Sequence, residues 1–290
     1  KRPTAMLDRN LSYLSLVEVL FGYPIDGVVL TTGCDKTTPA ALMAAATVNI
    51  PAIILSGGPM LDGKYKGKLA GSGTIIWEAR KLLAKGKINY EEFMEMVSSS
   101  APSIGHCNTM GTASSMNSVA EALGMSLPGC AIIPAPYRER EQISFETGKR
   151  IVGMVNEDLK PSKIMTRKAF ENAVVVASAI GGSSNCTIHL TAIANHMGIK
   201  FDLSNWQKLG LKIPLLVNCQ PAGEYLMESF YRAGGIPAIM KELMKHKKIH
   251  TNIITVSGKT VKENLKKKIE KNNNKVIKSF KNNLSEKAGF

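Results

Sequence analysis

Cysteine is scarce in this 290-residue sequence: there are five, at positions 34, 107, 130, 186 and 219, and no two form a Cys-x-x-Cys pair. Such scatter argues against a secreted disulfide framework and for a reducing compartment, where thiols serve as ligands or core filler. Long apolar runs are missing too; none reaches about 18 residues, so no membrane span and no membrane partner are expected. Lys1-Arg2-Pro3-Thr4 is not followed by the apolar core of a signal peptide, and the expected location is cytoplasmic. The sequence opens without Met, so a cut or processed N-terminus is expected. Aromatics make up 6% and are not interleaved with a basic stripe, which argues against a nucleic-acid partner. Acidic residues are outnumbered, 23 against 37 Lys and Arg, but the imbalance is local. Residues 241–290 hold 14 Lys and 4 Glu, hence +10 of the net +14. The Lys- and Asn-rich segments 266–268 and 271–275 read as solvated surface.

What is present is a large apolar fraction, 44%, enough for one large domain or two lobes. The chain is organised around Val28-Val29-Leu30-Thr31-Thr32-Gly33-Cys34-Asp35-Lys36-Thr37-Thr38-Pro39. The β-branched run predicts a strand; the Ala-, Leu- and Met-rich run from Ala40 to Val48 predicts a buried helix. Thr38 is the expected N-cap, with Pro39 at the first helical position. A thiol, a carboxylate and an amine therefore fall in a strand-to-helix turn, where open α/β sheets bind ligands. An ordinary βα loop with a buried Cys reads the same way. After Asn49-Ile50-Pro51, a second buried strand is predicted over Ala52–Ser56, making a βαβ unit with a parallel sheet.

Asn10 to Leu20 predicts a helix, with Leu11, Leu14, Val17 and Leu20 at helical spacing. Lys64 to Gly73 reads as a loop, either over the site or simply at the surface. Helices are predicted over Thr74–Ala84 and Tyr90–Val97. Ser103 to Thr112 repeats the Cys34 arrangement: Cys107 lies in a small-residue turn before an amphipathic helix carrying Met116, Val119, Ala120 and Leu123, stopped by Gly124 and Pro128. A charged helix runs from Tyr137 toward Val155, and Lys160-Pro161-Ser162 reads as a break between lobes. Beyond it, strands are predicted over Ala173–Ala179, Ile213–Val217 and Ile253–Val256, with helices over Thr187–Met197 and Glu224–Arg232. The expected class is α/β, with two lobes of mostly parallel sheet flanked by helices: residues 1–160 carry the Cys34 and Cys107 loops, and residues 161–290 form a second α/β lobe with a basic C-terminal segment.

Other motifs weigh less. Gly258-Lys259-Thr260 has the end of a P-loop but Ile253 where the earlier glycine belongs. Gly181-Gly182-Ser183-Ser184-Asn185 opens a helix and reads equally as an anion cradle or a tight turn. His189 and His196 lie two turns apart on one helix face, about 10 Å, too far for one mononuclear metal site. His106 is either a ligand or substrate contact or a structural histidine. Cys130, Cys186 and Cys219 read as core filler. Asp35-Lys36 reads as an ion pair or as hard-cation ligands.

At Gly33–Pro39 and Gly105–Thr112 the sequence resembles the dihydroxy-acid and phosphogluconate dehydratase family. It is most similar to the sugar-acid (arabonate or xylonate) branch. Pro51–Met60, Glu121–Gly129 and Pro134–Arg140 carry the same resemblance, which covers nearly the whole chain. The resemblance implies a hydro-lyase that converts a 2,3-dihydroxy acid or sugar acid to a 2-keto-3-deoxy acid; branched-chain dihydroxy-acid dehydration and a non-catalytic α/β anion-binding module are the alternatives. It implies an iron–sulfur cluster, [2Fe–2S] in the sugar-acid branch with [4Fe–4S] as the alternative, held by three cysteines of which two match Cys34 and Cys107. It also implies Mg²⁺, with Asp35 and a carbamylated Lys36 as ligands, and a homodimer or dimer of dimers. His106 and Thr109 are the candidate substrate-lining residues. In the family the first cluster cysteine and a further Mg²⁺ ligand lie upstream of Lys1, and the serine base lies in a C-terminal β-barrel domain absent from this chain. An internal fragment, inactive alone, is therefore expected, with no catalytic base of its own.

Overall fold

The structure is a computed structural model that describes residues 5–266 and 274–288. Most of the Lys- and Asn-rich surface expected at 266–268 and 271–275 lies outside the described residues. Helix α1 (Ala5–Gly22) leads through Pro24 and Asp26 into strand β1 (Val28–Thr32). Helix α2 (Thr37–Val48) and strand β2 (Ala52–Ser56) follow. The strands pair in parallel, Val28 opposite Ala52 through Thr32 opposite Ser56, so the predicted βαβ unit is the one observed. Helix α2 buries Ala40 to Ala46 on all sides. Small side chains at these positions let α1, the sheet and later helices approach closely. Asn49, at φ 54°, ends it in the left-handed conformation that Asn tolerates.

Residues 63–70, expected to be loop, contain a short hairpin of β3 (Gly63–Tyr65) and β4 (Lys68–Ala70), turned by Lys66 and Gly67 at positive φ. Helices α3 (Ile75–Ala84), α4 (Tyr90–Ser99), α5 (Thr112–Ala122) and α6 (Arg138–Asn156) come within a few residues of their predicted bounds.

The later half departs from expectation. Ala173–Ala179 is not a strand but the end of α8 (Arg167–Ala179), which follows the short α7 (Pro161–Ile164). An apolar run buried on every side has no periodicity to separate strand from helix, and here the helix is set by the turns upstream. Ile213–Val217 and Ile253–Val256 are not strands either. Leu215 and Val217 make single antiparallel bridges to Ser285 and Ile277, and Ile254 makes one to Thr260. Helices α9 (Asn185–His196), α10 (Leu203–Gly210), α11 (Met227–Arg232), α12 (Gly235–Lys245) and α13 (Val261–Asn264) complete the chain. Among the described residues no extended strand lies beyond Ala70. The α/β class stands on the β1–α2–β2 unit, with helices dominating. No helix of the described residues is long and apolar enough to cross a membrane.

One buried cluster joins Leu30, Leu42 and Ile54 of that unit to Met116 of α5, Phe170 of α8 and Leu190 of α9. A second gathers Val176, Leu216, Phe230 and Ile239. Helix α5 contributes to both, and its N-terminus points to the same end of the molecule as the carboxyl ends of β1 and β2.

Candidate active site

Three segments meet at the carboxyl ends of the strands. The turn 33–36 leaves β1, residues 57–62 leave β2, and residues 103–111 lead into α5. Thr37 shapes the first. Its hydroxyl donates to the Cys34 carbonyl (3.1 Å) and accepts from the Cys34 N–H (3.1 Å). The helix thus starts at Thr37 with Lys36 at the cap position, not at Thr38, and no side chain caps it. Pro39 is tolerated because first-turn N–H groups have no intrahelical partner.

The second and third segments are stitched together by backbone bonds. The His106 N–H donates to Gly58 O (2.9 Å) and the Met60 N–H to His106 O (2.9 Å). Gly105 sits at φ +130°, and a Cβ there would stand 2.5 Å from Met60 N. Asn117 of α5 ties this assembly to the first turn. Its amide nitrogen donates to Gly33 O (3.1 Å), and its oxygen accepts from the hydroxyls of Thr32 (3.2 Å) and Thr38 (3.4 Å). Asn108, fully buried, donates to Leu61 O (2.8 Å) and accepts from Ser72 N (2.9 Å). Neither Asn announces itself in the sequence, since their partners are distant in the chain.

This framework carries the sequence-predicted residues. Of the five cysteines, Cys34 and Cys107 are exposed and the other three buried. Cys34 and Cys107 lie close enough to interact electrostatically. Burial, with lesser contributions from the Asp35 carboxylate and Cys107, raises the Cys34 thiol above its ordinary range. The Cys34 thiol lies 3.5 Å from Asp35 Oδ1, and Lys36 Nζ lies 3.4 Å from Asp35 Oδ2. His106 Nδ1 is 3.0 Å from the Cys107 carbonyl. A carbonyl only accepts, so that nitrogen carries the proton and the buried Nε2 is a bare acceptor with no partner among the described residues. Burial lowers the His106 pKa to about 4, so the ring is neutral near pH 7. Thr109 is buried behind the turn, against Gly71 and Gly73.

Other candidates resolve differently. In the 181–185 loop the N–H groups of Gly181, Gly182, Ser183 and Asn185 all have protein acceptors, Ser115 Oγ among them (2.9 Å). The loop is a tight turn against α5. Gly258–Thr260 is also a turn, with Thr260 capping α13 in a reciprocal bond with Glu263. His189 Nδ1 faces Arg9 Nη1 (3.2 Å), and His196 Nδ1 faces Thr47 Oγ1 (2.9 Å). The two histidines thus have separate partners. Arg140, missed as a site residue, is buried and donates to carbonyls of Ser56, Cys130 and Ile133, fixing the end of β2.

The donor set has two parts: soft thiols suited to iron or an iron–sulfur cluster, and a carboxylate suited to a hard cation. Lys36 Nζ lies 3.4 Å from Asp35 Oδ2, and as an ammonium it would repel such a cation. It fits the same role only as an anionic carbamate. Among the described residues no group of three or more His, Cys, Asp or Glu side chains is arranged to hold a metal by itself. Fold and site define an α/β protein with a paired-thiol sheet end beside a carboxylate and an amine.

Comparison with known proteins gives the narrower assignment. Residues 1–264 match the dihydroxy-acid/6-phosphogluconate dehydratase N-terminal family, and the chain belongs to it. It is 59% identical over 290 residues to D-xylonate dehydratase of Caulobacter vibrioides, which covers all of this chain and 48% of that protein. It is 48% identical over 280 residues to L-arabinonate dehydratase of Rhizobium leguminosarum bv. trifolii, covering 97% of this chain and 48% of the relative. To dihydroxy-acid dehydratase of Caldicellulosiruptor saccharolyticus it is 42% identical over 286 residues, 99% of this chain and 51% of that one. The chain spans about half the length of these relatives.

Proposed function

We propose that this chain supplies half of the active site of a hydro-lyase that dehydrates a sugar acid, or another 2,3-dihydroxy acid, to a 2-keto-3-deoxy acid. The observation that carries this reading is the convergence of the exposed Cys34 and Cys107 on one sheet end, with Asp35 and Lys36 in the adjoining turn. Relatives named for xylonate and arabinonate dehydration support the sugar-acid branch.

In this reading Cys34 and Cys107 hold an iron–sulfur cluster, [2Fe–2S] by the branch the sequence resembles, and Asp35 with carbamylated Lys36 holds Mg²⁺. Bound together, the two inorganic groups supply Lewis acidity toward a substrate hydroxyl and carboxylate. The chain's own residues prepare the place. Both thiols must lose their protons to ligate; Cys34, held protonated by burial and by Asp35, gives its proton up only as a cation arrives. Carbamylation removes the positive charge 3.4 Å from Asp35 and leaves two oxygen donors side by side. Neutral His106 fixes the Cys107 carbonyl and adds no positive charge beside the thiols. Cys130, Cys186 and Cys219 are buried; the family resemblance places the third cluster thiolate outside these 290 residues, and in this reading the chain alone does not turn over substrate.

Anaerobic reconstitution with iron, sulfide and a small added thiol, which stands in for the third ligand, tests the reading. The expected result is a visible thiolate-to-iron absorbance band that disappears in Cys34→Ser and in Cys107→Ser but survives in Cys219→Ser. Absence of the band in the unmodified chain, or its survival in both serine variants, overturns it.

A further inference from the structure

Arg9 and His189 form a buried pair that the proposed function leaves unused. Arg9 is 8% exposed and His189 is fully buried. The guanidinium donates to the Asn10 side chain through Nε (3.1 Å) and Nη2 (2.9 Å), and its Nη1 lies 3.2 Å from His189 Nδ1. A guanidinium only donates, so Nδ1 is the acceptor and the ring proton sits on Nε2. That N–H is buried and has no partner among the described residues. A buried donor without an acceptor is costly to keep, so what Nε2 faces matters.

Helix α2 packs against both α1 and α9. At one level Tyr13 OH and His196 Nδ1 both meet Thr47 Oγ1, at 3.2 and 2.9 Å. Arg9 lies one turn before Tyr13, and His189 lies two turns before His196. On α2, Ala40 is two turns before Thr47, and Lys36, at the cap, is one turn further. The start of α9 is held at the site end too, where Asn185 Nδ2 donates to Thr112 Oγ1 (3.0 Å) at the start of α5. The Arg9–His189 pair therefore lies where Lys36 enters α2. The charges of Lys36 and Asp35 both act on the His189 ring, Lys36 more strongly than Arg9. The Lys36 side chain is tucked inward, 15% exposed against 45% for Asp35.

Behind Lys36 the interior thus presents a guanidinium and an N–H, both donors. Such company opposes an ammonium and suits an oxyanion. We infer that His189 is a positioning residue: its Nε2–H, fixed by Arg9, donates to one oxygen of a Lys36 carbamate and leaves the other oxygen to stand with Asp35 as a hard-cation ligand. The inference rests on the carbamylated Lys36 of the proposed function and adds the residues that hold it. The modification is an addition of CO₂. The Lys36 ammonium loses a proton to water, and the Nζ lone pair bonds to the carbon of CO₂. One C=O electron pair moves onto oxygen, and a second proton leaves Nζ for water.

Two NMR readouts on this chain test it. In long-range ¹⁵N–¹H spectra of the histidine-labelled chain, His189 should carry its proton on Nε2; a proton on Nδ1 overturns the inference. With ¹³C-bicarbonate and MgCl₂ at mildly alkaline pH, a carbamate ¹³C resonance should appear that is lost in Lys36→Gln. His189→Asn keeps an acceptor for Arg9 but has no N–H where Nε2 stands. It should lower the carbamate fraction about 10-fold or more, through the loss of one charge-assisted hydrogen bond. His189→Gln reaches that point with an amide N–H and should restore the resonance; failure to restore it assigns the loss to packing and overturns the inference. A Lys36-dependent resonance unchanged by His189→Asn overturns this inference alone and leaves the carbamate standing. No such resonance in the unmodified chain overturns the carbamate and this inference together.

Discussion

Pro59 and His106 form a single parallel bridge, and through it the loop carrying Cys107 is pinned to the loop that leaves β2. The bridge depends on Gly105, whose φ of +130° few other residues adopt and whose missing side chain leaves room for Pro59 and Met60. Gly105→Ala should therefore destabilise the chain by at least about 2 kcal/mol, read as a lower urea midpoint. The change should also abolish the iron-dependent absorbance band at urea concentrations where the fold persists. An unchanged midpoint would mean that the loop is not held as described.

Asn117 joins the two cysteine-bearing segments from the other side. Truncating it leaves Gly33 O and the hydroxyls of Thr32 and Thr38 without that partner in a buried place. Asn117→Ala should cost about 2–4 kcal/mol. Asn117→Asp should fare no better at neutral pH, because a carboxylate cannot donate to Gly33 O. Urea unfolding of both variants checks this; rescue by Asp would show that the bond to Gly33 is dispensable.

The thiols separate by exposure. In the native chain two of five should react with a small disulfide reagent, and all five after unfolding in denaturant. Cys34→Ser and Cys107→Ser should each remove one from the native count. Because the Cys34 pKa is raised, its reaction should be slow at pH 7 and accelerate as pH climbs beyond the ordinary thiol range. A native count of three or more would contradict the burial of Cys130, Cys186 or Cys219.

These residues also mark how far the sequence could be read. The β1–α2–β2 unit was legible because a β-branched run, an Ala-rich run and Asn49-Ile50-Pro51 each point to one local structure. The two exposed cysteines could be singled out because both precede helices in small-residue turns. Ala173–Ala179 reads as a strand because seven buried small and β-branched residues suit a strand as well as the helix observed. Leu11 and Leu14 gave the right helix, yet both are exposed, since periodicity fixes the element and not what covers it. Asn108, Asn117 and Arg140 were silent. Each satisfies backbone groups that are brought near only by the tertiary fold.

Two buried groups should give the pH dependence of stability opposing limbs. Burial, with Lys36 and Arg9 nearby, lowers the His189 pKa from 6.5 to about 4. Between those values the unfolded chain binds more protons than the folded one, so this contribution is lost as pH falls from about 6.5 toward 4. Glu121 behaves oppositely. Burial raises its pKa from 4.5 to about 7, against the bonds it accepts from the Gly129 and Ala131 N–H groups and the charge of Arg140. Its contribution is present below about 4.5 and is lost as pH rises through 7, because there the folded chain holds the extra proton. Each shift corresponds to about 3 kcal/mol at most, so in the unmodified chain they partly cancel. Glu121→Gln should lower stability at every pH, having one acceptor where two are needed, yet steepen the rise of stability between pH 4.5 and 7. His189→Asn, whose side-chain oxygen still accepts from Arg9, should flatten that rise. Urea midpoints across pH 4 to 8 read both slopes. Parallel curves for the two variants would show that neither group titrates where its surroundings place it.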